Sequence, residues 1–277
     1  MHLLLVSDLH YSLRQLDWVV DAAPSFDLVV LAGDHLDLGS AVSLDAQTVV
    51  ILRYLELLQA VTTVAVSSGN HDLTGPDIRG EQAALWLDEA RQLGVRTDGD
   101  SLLIGDTLIT ICPWWDGPTG RAAVVAQLEA DSLRRPARWI WVYHWPPLGS
   151  PTCWTGRRHY GDADLVEWID QYRPDVVLTG HVHDPPFKPE GSWADRIGDT
   201  WVFNPGRQIG PVPRRRGRCS QLGHVWLVAC APQYSGSGSR AEPGRAIGPC
   251  RCASSVSTPE TIDKPGVSPY WCLRSAR

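Results

Sequence analysis

Five short polar motifs contain the residues of this chain that could carry out a reaction. Each motif directly follows an apolar run that is typical of a buried β-strand, at residues 3–6, 28–31, 63–66, 139–143 and 176–178. Because ligands bind beyond the carboxyl ends of strands in open α/β sheets, we expect the motifs to meet in one site. The motifs are Asp8-Leu9-His10, Gly33-Asp34-His35-Leu36-Asp37, Gly69-Asn70-His71-Asp72, His144 and Gly180-His181-Val182-His183.

The residue types of these motifs predict a metal site. Asp8 and His10 are two positions apart, and in extended backbone that spacing turns both side chains to one face. Mixed carboxylate and imidazole ligands suit Mn, Fe or Zn, whereas an all-oxygen set would favour Mg or Ca. Two such ions, about 3.5–4 Å apart, activate water against phosphate esters. We therefore expect two divalent transition-metal ions (Mn, Fe or Zn) as cofactors, and no residue indicates an organic one.

The five motifs in this order resemble those of the calcineurin-like metallophosphoesterases, whose pattern is D-x-H, G-D-x-x-D, G-N-H-D/E, a single H and G-H-x-H. The resemblance covers roughly residues 1–210 and includes the turn Asn204-Pro205-Gly206. It implies an α/β fold, a four-layer α-β-β-α sandwich with the metals at the carboxyl ends of the strands. It also implies an enzyme, a phosphoric ester hydrolase in which metal-activated hydroxide attacks a small phosphate-ester substrate. A phosphodiester or nucleotide-like substrate is favoured slightly over a monoester.

The resemblance also assigns roles to residues of this chain. His71 is expected to stabilise the transition state and to act as general acid for the leaving oxygen. Asp37 would orient His71, and Asp34 would bridge the two metal ions. Asp72 completes the third motif but is not expected to bind metal, and capping the turn after Asn70-His71 is favoured over a catalytic role. The two expected ligand sets are Asp8, His10, Asp34 and His183 around one ion, and Asp34, Asn70, His144 and His181 around the other.

Other functions within and beyond this family stay open. A Ser/Thr protein phosphatase is disfavoured because that branch carries arginines where this chain has Ser67-Ser68 and Leu38-Gly39. A lipid-precursor pyrophosphatase is disfavoured because that branch has Arg at the position of His71. A non-catalytic scaffold for protein interactions is the alternative from another class, and the retained His71 argues against it.

Hydrophobic periodicity divides the chain into two regions. Residues 1–213 alternate strand-like and amphipathic runs, which predicts one metallophosphoesterase domain. Residues 214–277 are rich in Arg, Gly, Ser, Pro and Cys, and we interpret them as a disordered or aberrant, possibly out-of-frame, tail. The spacing of Cys250 and Cys252 does not fit a zinc ribbon. Helices are predicted at 12–22, 42–60, 80–93, 118–134 and 162–172, and a hairpin at 101–111.

The composition of the chain limits the classes of partner that it could bind. The net charge of −6 indicates no general attraction to nucleic acid or anionic membranes. No apolar run approaches about 20 residues and no basic leader precedes residue 6, so we predict no membrane span and a cytoplasmic location.

Trp114 and Trp115 could contact substrate or pack in the core. Arg157 and Arg158 could grip a phosphate or lie in solvent. The oligomeric state stays open.

Overall fold

The structure, a computed structural model, describes residues 1–134 and 136–207 and the strand backbones at 213–219, 224–230 and 272–273. Its helices are α1 (Leu13–Ala22), α2 (Leu44–Gln59), α3 (Leu87–Gln92), α4 (Pro118–Leu133) and α5 (Ala163–Tyr172). Its strands are β1 (His2–Val6), β2 (Leu28–Ala32), β3 (Thr63–Ser67), β4 (Gly75–Pro76), β5 (Gln82–Ala83), β6 (Ser101–Ile104), β7 (Thr107–Ile111), β8 (Arg138–Val142), β9 (Val176–Leu178), β10 (Ala194–Ile197), β11 (Thr200–Phe203), β12 (Pro213–Cys219), β13 (His224–Cys230) and β14 (Cys272–Leu273).

The longer strands form two six-stranded sheets. The first has the order β14-β12-β13-β1-β2-β3, and its centre from β13 to β3 is parallel. The second has the order β10-β11-β9-β8-β7-β6, with a parallel centre and antiparallel strands β10 and β6 at its edges. The carboxyl ends of the parallel strands therefore lie along one edge of each sheet.

The alternation of side chains along the strands produces four layers. In β1, Leu3 and Leu5 pack between the sheets, together with Ile140 of β8, whereas Leu4 and Val6 face the other way. That outer face of the first sheet packs against α1, α2 and α3, and the outer face of the second sheet packs against α4 and α5. The result is the predicted α-β-β-α sandwich.

Four of the five predicted helices are confirmed, as is the hairpin, in which β6 pairs with β7 across Gly105-Asp106. The prediction of a helix over 80–93 is wrong for residues 80–86, since helix α3 spans only Leu87–Gln92. Instead, β4 and β5 form a small hairpin. Its turn is fixed by Asp77, whose side chain accepts hydrogen bonds from the backbone N–H groups of Arg79 and Glu81.

Three strands lie beyond the predicted domain boundary at residue 213. The parallel pairing of β13 with β1 and the antiparallel pairing of β12 with β13 extend the first sheet into the segment interpreted as a tail. The rest of residues 214–277 lies outside the described residues, and the division at 213 stays a prediction. Among the described residues, no helix is long and apolar enough to cross a membrane. The cytoplasmic location also stays a prediction.

Candidate metal centre

Left-handed backbone at the strand ends turns the motif side chains toward one another. Asp8, His10, Asp34 and His181 all have positive φ angles, of 56°, 42°, 56° and 64°. Residues other than glycine rarely adopt this conformation, and where they do they cluster at functional sites. The turn after β1 is held by the backbone N–H of His10, which donates to the carbonyl of Asp34 over 2.9 Å.

The first ligand set predicted from the motifs is brought together. The candidate ligand atoms of Asp8, His10, Asp34 and His183 all lie within 4.8 Å of one another. His10 Nε2 is 3.6 Å from Asp34 Oδ2, and His183 Nε2 is 3.3 Å from Asp8 Oδ1. The Asp8 carboxylate is oriented by the backbone N–H of His181, which is 2.9 Å from Oδ1. We call these four residues the first cluster.

Asp34, His144 and His181 form a second cluster, also with ligand atoms within 4.8 Å of one another. His144 Nδ1 lies 2.6 Å from the carbonyl oxygen of Ala32. A proton on Nδ1 would be donated to that carbonyl, which leaves Nε2 as the ligand atom. His144 Nε2 lies 3.3 Å from Asp34 Oδ2. Asp34 is therefore shared between the clusters, as a bridging ligand requires.

The donor atoms fit a metal pair because two of them are buried without a partner. Asn70 Oδ1 and His181 Nε2 are enclosed, and neither has a hydrogen-bond partner among the described residues. Burying such an atom unpaired costs about 1–3 kcal/mol, and coordination of a cation would remove that cost. Asn70 begins the short 3-10 turn Asn70–Asp72 that follows β3. All seven predicted ligands thus lie in the two clusters or in the turn beside them.

Opposing effects set the pKa values of the shared carboxylate and its neighbours. Burial raises the pKa of Asp34, but the charges of His144 and His10 and the hydrogen bonds from His144 and the His71 N–H together outweigh it and leave the pKa well below its usual range. Burial lowers the pKa of His144, but Asp34 raises it to about 9. Burial lowers the pKa of His10 to about 4 and that of His181 to about 3. His10 and His181 are therefore neutral at pH 7, with a nitrogen lone pair available.

The predicted catalytic residues lie beside the first cluster. The His71 ring is 4.5 Å from the His10 ring, and ligand atoms of His10, Asp37 and His71 lie within 4.8 Å of one another. The backbone N–H of His71 donates to Asp34 Oδ1 over 2.9 Å. Asp37 Oδ1 accepts from Gly39 N, and His71 Nδ1 has no hydrogen-bond partner among the described residues. Asp37 is thus close to His71 but not hydrogen-bonded to it.

Asp72 organises the backbone around the shared carboxylate. Its buried side chain accepts hydrogen bonds from the backbone N–H groups of Asp34, His35, Leu36 and Gly69, at 2.8–3.0 Å. It also lies 2.9 Å from His35 Nδ1. The expected capping of the turn is confirmed, but the additional reach to the loop after β2 was not predicted.

Two further features of the site hold the loops in place. A Cβ at Gly69 would lie 2.2 Å from Asp34 Oδ1, so only glycine allows this close approach. Asn204 Nδ2 lies 2.9–3.0 Å from the carbonyl oxygens of Thr152, Gly180 and Val182. Asn204 therefore fixes the loop that carries His181, a role for which the only sequence signal was the Asn-Pro-Gly turn.

Comparison with known families agrees with this geometry. The family described as Calcineurin-like phosphoesterase matches residues 1–185. The chain belongs to the calcineurin-like phosphoesterase family. Members of this family are typically phosphoester hydrolases with a dinuclear divalent metal centre, and they act on small phosphate esters. A search of curated proteins gave no significant match.

Several solved structures are similar to this calcineurin-like phosphoesterase. TT1561 of Thermus thermophilus is 17% identical, with 74% of this chain and 88% of that chain covered and a TM-score of 0.55. Purple acid phosphatase PPD1 from yellow lupin is 15% identical, with 65% and 37% covered and a TM-score of 0.45. Yfce, a phosphoesterase from E. coli, is 17% identical, with 74% and 78% covered and a TM-score of 0.33.

Proposed function

We propose that this chain is a metal-dependent phosphoesterase that hydrolyses a phosphodiester or nucleotide-like substrate at a pair of Mn, Fe or Zn ions. The observation that carries the proposal is the shared Asp34, which lies within 4.8 Å of ligand atoms from both clusters. The partnerless buried atoms of Asn70 and His181 support the same conclusion. Asp8, His10, Asp34 and His183 would hold one ion, and Asp34, Asn70, His144 and His181 the other.

The ions, when bound, would lower the pKa of water and neutralise the charge of the phosphate. The protein's own side chains would position the reacting groups and move protons. Asp34 is fixed at Oδ1 by the His71 N–H, and its other oxygen, Oδ2, faces both His10 and His144. His71, beside the first cluster, would hold a proton on Nε2 for the leaving oxygen. Asp37, with a carboxylate oxygen within 4.8 Å of a ring nitrogen of His71, would orient the His71 ring.

This assignment of His71 is tested by changing the leaving group. His71→Ala should lower kcat by about 10²–10⁴-fold for an alkyl phosphodiester, whose alkoxide needs a proton. The loss should be clearly smaller for bis-p-nitrophenyl phosphate, because p-nitrophenolate is a stable anion. Manganese binding should be retained. His2→Ala, at an exposed position outside both clusters, is the matched control.

Two results would contradict the proposal. An equal loss for both leaving groups would remove the general-acid role of His71 while leaving the hydrolase in place. A folded, manganese-loaded wild-type protein that hydrolyses neither ester would instead favour the non-catalytic scaffold.

A further inference from the structure

Three aromatic side chains surround the candidate ligand His181. The ring centroids of Trp114, Trp145 and Tyr160 lie 5.2, 5.4 and 5.3 Å from that of His181. The two indoles stack on each other, with centroids 5.2 Å apart and planes inclined by 25°. Trp114 also lies 5.8 Å from the ring of His144. We call Trp114, Trp145 and Tyr160 the aromatic wall.

The aromatic wall stands at the same edge of the sheets as the two clusters. Trp114 lies three residues beyond the end of β7, and Trp145 directly follows His144 beyond β8. Both indoles are half-buried and border a recess beside His144, and Tyr160 is 42% exposed. Trp139 and Trp141 of β8, by contrast, are fully buried between the second sheet and its helices. Trp145 also packs against the edge of that core. Core packing therefore accounts for the tryptophans of β8 and in part for Trp145, but not for Trp114 and Tyr160.

Hydrogen bonds fix the loop of Trp114 before any ligand arrives. The backbone N–H of Trp114 donates to Ser68 Oγ over 2.8 Å. Ser68 in turn donates to the Asp98 carboxylate from both its hydroxyl, at 2.6 Å, and its backbone N–H, at 2.8 Å. A loop held in this way loses little backbone freedom when its side chains contact a ligand, and such preorganisation favours binding.

The indole of Trp145 has an unused hydrogen-bond donor. Trp145 Nε1 is enclosed and has no acceptor within the part of the chain that the structure describes. Indole N–H groups usually find a partner when they are buried. By comparison, Trp115 Nε1 donates to the hydroxyl of Tyr143 over 2.9 Å, and Trp86 Nε1 donates to the carbonyl of Asp72 over 3.1 Å. Within the described residues, Trp145, like Trp141 in the core, therefore lacks the acceptor that Trp115 and Trp86 have.

We propose that the aromatic wall binds a planar aromatic group carried by the phosphate ester. This inference rests on the proposed function, since the phosphate would occupy the two clusters. The ring would lie against the indoles, where aromatic pairs gain energy beyond simple burial. The Arg158 guanidinium, 5.4 Å from the Tyr160 ring centroid, adds positive charge that suits an anionic ligand.

Non-hydrolysable phosphonates test this proposal without turnover. Phenylphosphonate, cyclohexylphosphonate and methylphosphonate carry the same anionic group, and their P–C bond is not a substrate for ester hydrolysis. Their dissociation constants for the manganese-loaded full chain would be measured by isothermal titration calorimetry. We expect phenylphosphonate to bind about 5- to 10-fold more tightly than cyclohexylphosphonate, since stacking distinguishes a planar ring from an aliphatic one.

Trp145→Leu should bring the ratio of the cyclohexylphosphonate and phenylphosphonate dissociation constants close to one. Trp154→Leu should keep this ratio at its wild-type value. Trp154 is a suitable control because it lies in the same loop but donates its Nε1 hydrogen to the carbonyl of Pro189. Equal binding of the phenyl and cyclohexyl compounds by the wild type, or an unchanged ratio in Trp145→Leu, would overturn the aromatic subsite alone. Loss of methylphosphonate binding in Trp145→Leu with the ratio unchanged would mean that the wall only orients His181. If the wild type binds manganese but no phosphonate at all, the proposed function fails as well.

Discussion

Replacement of Asp72 by asparagine should lower the stability of the protein strongly, although the side chain keeps its shape. Asp72 is 0% exposed, and both of its oxygens accept hydrogen bonds. Oδ2 accepts from the backbone N–H groups of Asp34 and Gly69 and lies beside His35 Nδ1. Oδ1 accepts from the N–H groups of His35 and Leu36. Whichever way the introduced amide is turned, its NH₂ group faces at least two donors.

The expected loss of stability follows from the hydrogen bonds that Asp72 accepts. Each buried donor that loses its acceptor costs about 1–3 kcal/mol, and the lost negative charge weakens the bonds that remain. We therefore expect Asp72→Asn to lower the free energy of unfolding by about 3–5 kcal/mol, a large part of the roughly 5–15 kcal/mol typical of a protein. Manganese affinity should also fall, because Asp72 holds the backbone of the shared carboxylate Asp34.

Urea unfolding monitored by circular dichroism measures this change, and Asp77→Asn is the matched control. Asp77 also accepts two backbone N–H groups, but through Oδ1 alone and in a half-buried hairpin turn. An asparagine there keeps an acceptor oxygen, so we expect a loss below about 1 kcal/mol. If both variants lie within about 0.5 kcal/mol of the wild type, the reasoning about Asp72 is wrong.

Two further predictions concern stability. Burial raises the pKa of Asp98 from 3.8 to about 7, so the folded protein holds this proton more tightly and the contribution of Asp98 to stability falls as the pH rises from about 4 to about 7. Asp98→Asn should remove up to about 4 kcal/mol of that decline, and parallel urea-stability profiles over this pH range would contradict it. Gly33 and Gly80 both have φ of +87°, but a Cβ at Gly33 would lie 2.2 Å from His144 Nδ1 whereas one at Gly80 meets nothing within 4 Å. Gly80→Ala should cost about 1–2 kcal/mol through strain. Gly33→Ala should cost at least about 2 kcal/mol more and weaken manganese binding, and equal losses in urea would refute the steric argument.

The sequence alone was sufficient to predict the strands and the site where local signals and long-range geometry agree. Continuous apolar runs predicted the strands, and parallel strands place their carboxyl ends at one edge, so the motifs had to converge. The helix predicted over 80–93 was wrong at its start because the side chain of Asp77 stabilises a turn that competes with helix.

Contacts between distant parts of the chain could not be predicted in this way. Asp72 reaches backbone 36–38 residues earlier, and Asn204 fixes a loop 22–24 residues earlier. Neither contact leaves a period or a spacing in the sequence. The pairing of β13 with β1 was also not predicted. The residues after 213 are rich in Arg, Gly, Ser and Pro, and the single apolar run among them, which forms β13, was not interpreted as part of the sheet.

The central claim is that Asp34 joins two metal ions into one hydrolytic centre. Its most direct test is the number of manganese ions per chain, measured by elemental analysis after metal stripping, reloading and dialysis, together with hydrolysis of bis-p-nitrophenyl phosphate and p-nitrophenyl phosphate. We predict two ions per wild-type chain with metal-dependent hydrolysis, and the loss of both properties in Asp34→Ala but not in Asp45→Ala, at an exposed carboxylate of α2. A folded wild-type protein that binds fewer than two ions, or an Asp34→Ala variant that retains two ions and activity, would contradict the account.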